Sequence, residues 1–110
     1  MKVVYTAGPF TADTSWEIAC NVHEMRKVAL EVARRGAVPL FHGQLTPEFW
    51  YEVTLELLKR CDAIVMHPSW GTARGAVLEH EWARKVGMPI FHYSEIFGLA
   101  NTGFEEWIKE

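Results

Sequence analysis

The stretch Ala63-Ile-Val-Met-His-Pro-Ser-Trp-Gly-Thr-Ala-Arg-Gly-Ala-Val-Leu-Glu-His-Glu-Trp-Ala-Arg-Lys-Val-Gly-Met-Pro-Ile-Phe-His92 decides the fold. Ala63 to Met66 and Pro89 to His92 are short apolar runs of strand type, and the residues from Gly75 to Val86 repeat with a helical period. Strands joined through a helix run parallel, because a crossover replaces the tight turn of a hairpin. At about 100° per residue, Gly75, Ala76, Trp82, Ala83 and Val86 share one face of that helix with Glu79 in its middle, whereas Glu81 points away among Arg84 and Lys85.

Working outward, Lys2 to Ala7 is a β-rich run ended by Gly8-Pro9. Thr14-Ser-Trp-Glu17 offers a capping box to a helix running to about Arg35, with Gly36 as its stop and Ile18, Val22, Met25, Ala29 and Val32 as its stripe. Ala37 to Phe41 reads as a second strand. Thr46-Pro47 supplies an N-cap and a first-turn proline for a helix to about Arg60, with the stripe Trp50, Val53, Leu57 and Cys61. Thr102-Gly-Phe-Glu105 caps a short last helix. The order βαβαβαβ predicts an α/β, flavodoxin-like three-layer fold over residues 1–110, with right-handed crossovers, a four-stranded parallel sheet ordered 2-1-3-4 and a short extra C-terminal element.

A chain of 110 residues, 49% of them hydrophobic, is large enough for one core. A formal charge of −3 gives no general attraction for nucleic acid or an anionic membrane, so any phosphate binding has to be local. Cys20 and Cys61 fall inside the expected helices, and neither a signal peptide nor a transmembrane run is visible, which reads as a cytoplasmic protein with free thiols.

Ligands of open α/β sheets bind beyond the carboxyl ends of the strands. Those ends deliver Gly8-Pro9-Phe10, His42-Gly43 and the loop from His67 through Ser69, Thr72, Ala73 and Arg74 to Gly75. Glu79 lies one turn into the helix opened by that loop. Burying a carboxylate costs several kcal/mol without compensation, so its place on an apolar stripe marks it for a partner or a use; a glutamate satisfied by backbone donors is the plain alternative. The helix N-terminus and a hydroxyl donor oppose the rise in pKa that burial imposes, and Tyr5, on the neighbouring strand, is that donor. Free N–H groups near Thr72 to Gly75 suit a phosphate or sugar oxygen. His42, His67 and His92 each follow a strand, but the whole first strand, roughly 10 Å of sheet, separates His42 from His67, so no shared metal is expected. His67 remains as a crevice contact. His80-Glu81 lacks a second histidine and reads as solvated surface, and Asp62 as a residue closing the second helix or bonding at the strand start.

Tyr5-Thr-Ala-Gly-Pro9, Cys61-Asp-Ala-Ile-Val65, Trp70, and Arg74-Gly-Ala-Val-Leu-Glu79 continuing through Ala83 to Gly87-Met-Pro89 together resemble the nucleoside 2-deoxyribosyltransferase superfamily, most closely its short phage and bacterial branch, over roughly Val3 to Tyr93. The resemblance implies that Glu79 attacks C1′ of a nucleoside or nucleotide, that Tyr5 orients it, and that a ribosyl-enzyme intermediate passes to water or to another base with no metal or organic cofactor. Two positions depart from that pattern: Thr54 stands where relatives carry an aspartate that contacts the sugar or helps protonate the leaving base, and Ala73 where nucleotide hydrolases of the group carry a phosphate-binding serine. The missing acid supports the alternative of a non-catalytic nucleotide-binding module; an oligomeric scaffold is the third reading. Trp16, Tyr51, Leu55, Leu58 and Val77 lie off the expected stripes, which predicts at least a homodimer, in keeping with relatives that build their sites at subunit contacts.

Overall fold

A computed structural model describes residues 1–40 and 47–110, and for residues 47–51 the helical backbone alone. The elements are β1 (Val3–Ala7), α1 (Ser15–Arg34), β2 (Val38–Leu40), α2 (Pro47–Lys59), β3 (Ala63–Met66), a 3-10 turn (Trp70–Thr72), α3 (Arg74–Val86), β4 (Ile90–His92) and α4 (Phe104–Ile108). The four strands form one parallel sheet in the order β2-β1-β3-β4. The central pair runs in register from Val4 opposite Ala63 to Ala7 opposite Met66.

Strand alternation sorts the core into two clusters, one on each sheet face. Val4, Ala63, Val65 and Phe91 pack with Val28 and Val32 of α1 and with Leu99 and Phe104 of the C-terminal segment. Tyr5, Ala7, Ile64 and Met66 pack on the other face with Leu58 of α2 and with Ala76 and Ala83 of α3. β3 is buried along its whole length, as a central strand covered on both faces must be. Ile64, Val65 and Met66, all fully buried, each gain roughly 1.5–3 kcal/mol from that burial.

The helix ends follow local chemistry. Thr14 caps α1, its Oγ1 accepting from the N–H of Glu17 at 3.1 Å, and Gly36 takes φ 101° just past the helix end. The buried face of α1 is Met25, Val28 and Val32, with Ile18, Val22 and Ala29 only half-buried. Thr102, expected as the cap of α4, lies one residue before it: Gly103 holds the N-cap position, and Thr102 Oγ1 accepts from the N–H of Phe104 at 3.3 Å. Asp62 bonds at the strand start, accepting from the N–H of Val3 at 2.8 Å.

Three expectations are corrected. α2 buries Thr54, as expected of its side of the helix, but Leu58 is buried with it and Val53, expected on the same stripe, is 38% exposed. Glu52, Glu56, Lys59 and Arg60 form the exposed side at this end of the helix, and Thr54 and Leu58 lie opposite them, facing the sheet and α3. Leu58 is therefore core, and Leu55 packs against it as a partly buried neighbour, which removes both as grounds for self-association. Cys61 lies beyond the end of α2, buried, its thiol donating to the carbonyl of Leu57 at 3.3 Å, and Cys20 is exposed on α1. Val86 is 55% exposed, because it sits about 60° round the helix from Ala83. The end of the second strand at Phe41, the Thr46 cap, His42-Gly43 and the side chains of Trp50 and Tyr51 lie outside the described residues. Among the described residues no helix is long and apolar enough to cross a membrane.

Candidate functional site

Glu79 is 2% exposed, in the middle of the α3 face that meets the sheet. Alternation along β1 turns Tyr5 to the same side, and its hydroxyl donates to Glu79 Oε2 at 2.5 Å. Thr54, fully buried on α2, hydrogen-bonds the same carboxyl. Three elements thus converge on one carboxylate. Burial pushes its pKa up to about 7, against the two hydroxyls, which pull it down by bonding the charged form. Burial, and then the charge and hydrogen bond of Glu79, drive the Tyr5 phenol far up, so it remains a donor at any physiological pH. Tyr5 as the orienting hydroxyl was legible in the sequence; Thr54 as a second direct partner of Glu79 was not.

Above this cluster a cavity of about 900 Å³ opens over the carboxyl ends of β1 and β3. Gly8, Pro9, Phe10, His67, Ser69, Thr72, Ala73, Arg74 and Gly75, nine positions expected to contact a ligand, line it. Among the described residues Tyr5, Thr54 and Glu79 do not. The nearest wall on their side is Ala76, one helical turn before Glu79 on the same buried stripe. The α3 side of the cavity offers a helix start whose N-cap, Ala73, supplies no side-chain hydrogen bond, with Arg74 exposed beside it. Thr72 Oγ1 donates to the carbonyl of Ser69 at 2.8 Å, which commits its proton to the loop and leaves only its lone pairs for a ligand.

The opposite wall belongs to α1. His67 continues the β3 face that carries Ala63 and Val65, and is packed against the end of β1 so closely that a Cβ on Gly8 would sit 2.6 Å from His67 Cβ and from Met25 Sδ. The approach requires glycine there. His67 is 4% exposed, and its Nδ1 accepts from the N–H of Ser69 at 3.0 Å. The ring hydrogen is therefore on Nε2, which faces Glu24 Oε1 at 3.5 Å. Lys27 Nζ holds the other oxygen of Glu24 at 2.9 Å. Lys27 first, and His67 after it, keep the Glu24 carboxyl below its usual range. Glu95, just beyond β4, completes a cluster whose polar atoms lie within 4.8 Å of one another. A metal-bound histidine normally donates from its other ring nitrogen; here that nitrogen accepts, so the donor set suits hydrogen bonding better than a cation.

The sequence reading missed Asn21, Glu24 and Glu95 on this wall. Asn21 and Glu24 lie three residues apart on the polar flank of α1, where Asn21 Nδ2 donates to the carbonyl of Phe10 at 3.1 Å. Position beyond the end of β4 was the available signal for Glu95. His80 is also not plain solvated surface: it stacks on Trp70 at 4.2 Å, with His92 tilted 6.2 Å from both rings.

A family model described as a domain of unknown function, DUF4406, matches residues 2–92. No curated protein matches the chain.

Proposed function

The chain belongs to the DUF4406 family, and from that premise we propose that it cleaves or transfers the N-glycosidic bond of a nucleoside or nucleoside 5′-monophosphate through a covalent ester of Glu79. The observation that carries this reading is the carboxyl of Glu79, held by two hydroxyls one turn behind the wall of a nucleoside-sized cavity. Its likeness to the nucleoside 2-deoxyribosyltransferase superfamily in Tyr5, Arg74-Gly75 and Glu79 points the same way. In the first step Glu79 bonds to C1′ while the C1′–N bond breaks and its electron pair leaves with the base, which takes up a proton. In the second, water or another base attacks C1′ and frees the carboxylate. Ionisation of Glu79 is required for attack, so the rate should rise with pH through about 7. The uncapped start of α3 with Arg74 would take the 5′ phosphate. This chemistry calls for no metal or organic cofactor.

Burial of Glu79 and the hydroxyl of Thr54 in place of an acid favour a second reading, a nucleotide-binding module without turnover. Incubation with a panel of nucleosides and 5′-monophosphates, with and without a second free base, separates them: chromatographic release of base supports the enzyme, and binding without release the module.

Self-association belongs to the same proposal. Trp16, 77% exposed at the start of α1, and the exposed pair Ile96 and Phe97 beyond β4 stand at the cavity end of the molecule, where a second copy would cover them. Sedimentation should show at least a dimer at micromolar concentration; a 12.6 kDa species would remove the claim. A free exposed thiol at Cys20 fits a cytoplasmic setting.

A further inference from the structure

On the α1 wall of the cavity one ring N–H and two carboxylates share a space small enough for a single planar group. The donor is the Nε2–H of His67, fixed in that tautomer by the Ser69 N–H on Nδ1. It is buried, it faces the cavity, and its nearest acceptor among the described residues, Glu24 Oε1 at 3.5 Å, is at the limit of a hydrogen bond. A buried N–H left this poorly satisfied costs free energy that an incoming acceptor restores. The acceptors are Glu24 and Glu95, both on the cavity lining, with Lys27 bonded to Glu24. All three polar groups lie within 4.8 Å of one another.

We propose that His67, Glu24 and Glu95 read the edge of a nucleobase on which an exocyclic amine stands beside an unprotonated ring nitrogen. The ring nitrogen accepts from His67 Nε2–H, and the two amine hydrogens go one to each carboxylate. Adenine and cytosine present such an edge. Hypoxanthine and uracil present a carbonyl beside a single N–H, which satisfies His67 and one carboxylate and leaves the other without a donor. This rests on the nucleoside reading of the cavity and adds the class of base.

Binding of the free bases tests the subsite without needing turnover. Calorimetric titration of the whole chain should give adenine and cytosine affinities at least about tenfold above those of hypoxanthine and uracil, the effect of one hydrogen bond to a charged group. Glu95→Gln and Glu24→Gln, both replacements of accessible carboxylates, should each shrink that preference to within about threefold. Equal affinity for amino and carbonyl bases, or a preference unmoved in both variants, overturns the proposal. So does tight binding of zinc or manganese that both variants abolish, which would make the cluster a cation site. The two readings fail separately: amino-base preference without base release from any nucleoside sinks the glycosidase and keeps the subsite, and base release with no preference does the reverse.

Discussion

Glu79 and Glu24 are the same side chain on opposite faces of one sheet, and their surroundings drive them apart. Glu79 is sealed between β1, α2 and α3, and burial outweighs two hydroxyl bonds to lift its pKa to about 7. Glu24 sits partly in water on α1, where a lysine and a histidine pull its pKa down. The first is set to change charge near neutrality, and the second stays charged. Attack by Glu79 needs the charged form, so the former condition would make its reactivity depend on pH, whereas a constant charge suits a carboxylate that holds a ligand.

The widest separation between the two should come from Glu79→Gln. It keeps the shape and removes the nucleophile, so base release should fall to background while ligand binding persists, followed by chromatography and calorimetry. A slow 2-fluoro-substituted substrate should leave its sugar on Glu79 in a peptide mass map. Full turnover in the variant would erase the distinction on the functional side.

Next in size is the pH dependence of stability. With the folded pKa near 7 against 4.5 unfolded, the folded chain holds the Glu79 proton more tightly. The associated stability is fully present below about pH 4.5 and is lost as pH rises through about 7, a change of about 3 kcal/mol. Glu24, with a lowered pKa, works in the opposite sense and fades as pH falls, weakly because it is partly exposed. Urea unfolding at pH 5 and pH 8 should show the parent losing stability with rising pH and Glu79→Gln losing much less. A parent stable to the same degree at both values would mean that Glu79 is not strained by its burial.

Thr54→Val tests the hydroxyl support. Removing one bond to a buried carboxylate should cost about 1–2 kcal/mol at pH 8 and less at pH 5, where the carboxyl is protonated. The smallest effect belongs to Glu24→Gln, whose exposed ion pair with Lys27 predicts a stability change within about 0.5 kcal/mol by the same unfolding assay. A loss as large as that of Thr54→Val would mean that the α1 cluster is structural.

The two clusters were also unequally legible. Glu79 is visible in sequence because it breaches an apolar stripe, and Tyr5 because strand order brings it to the same face. Strand direction followed from the helix between each pair of strands, and strand order from the flavodoxin-like arrangement that this alternation suggests. Glu24 and Asn21 break no pattern, since polar residues belong on the outer flank of a helix; the fold gives them roles by aiming His67 at Glu24 and the Phe10 carbonyl at Asn21. Helix phase was legible in most of α3; in α2 the exposed face of Glu52, Glu56, Lys59 and Arg60 carried the signal, opposite Thr54 and Leu58, and a stripe drawn through Val53 overlooked it. Thr54 was expected at the sugar, and its bond to Glu79 was missed because the two lie on different helices, α2 and α3, which no spacing rule connects.

The match to the family ends at His92, yet Leu99 and Phe104 are fully part of the cluster on the α1 face, with Tyr93, Trp107 and Ile108 packed against it. Glu31 of α1 accepts from the N–H of Leu99 at 2.9 Å and ties that segment down. A polypeptide ended at His92 would keep all four strands and both candidate clusters except Glu95, but would uncover Val4, Val28, Val32, Val65 and Phe91. Such a product should be sticky and prone to precipitate. The stretch matched by the family model is therefore shorter than the unit that buries this face, and the last eighteen residues act here as its lid against water.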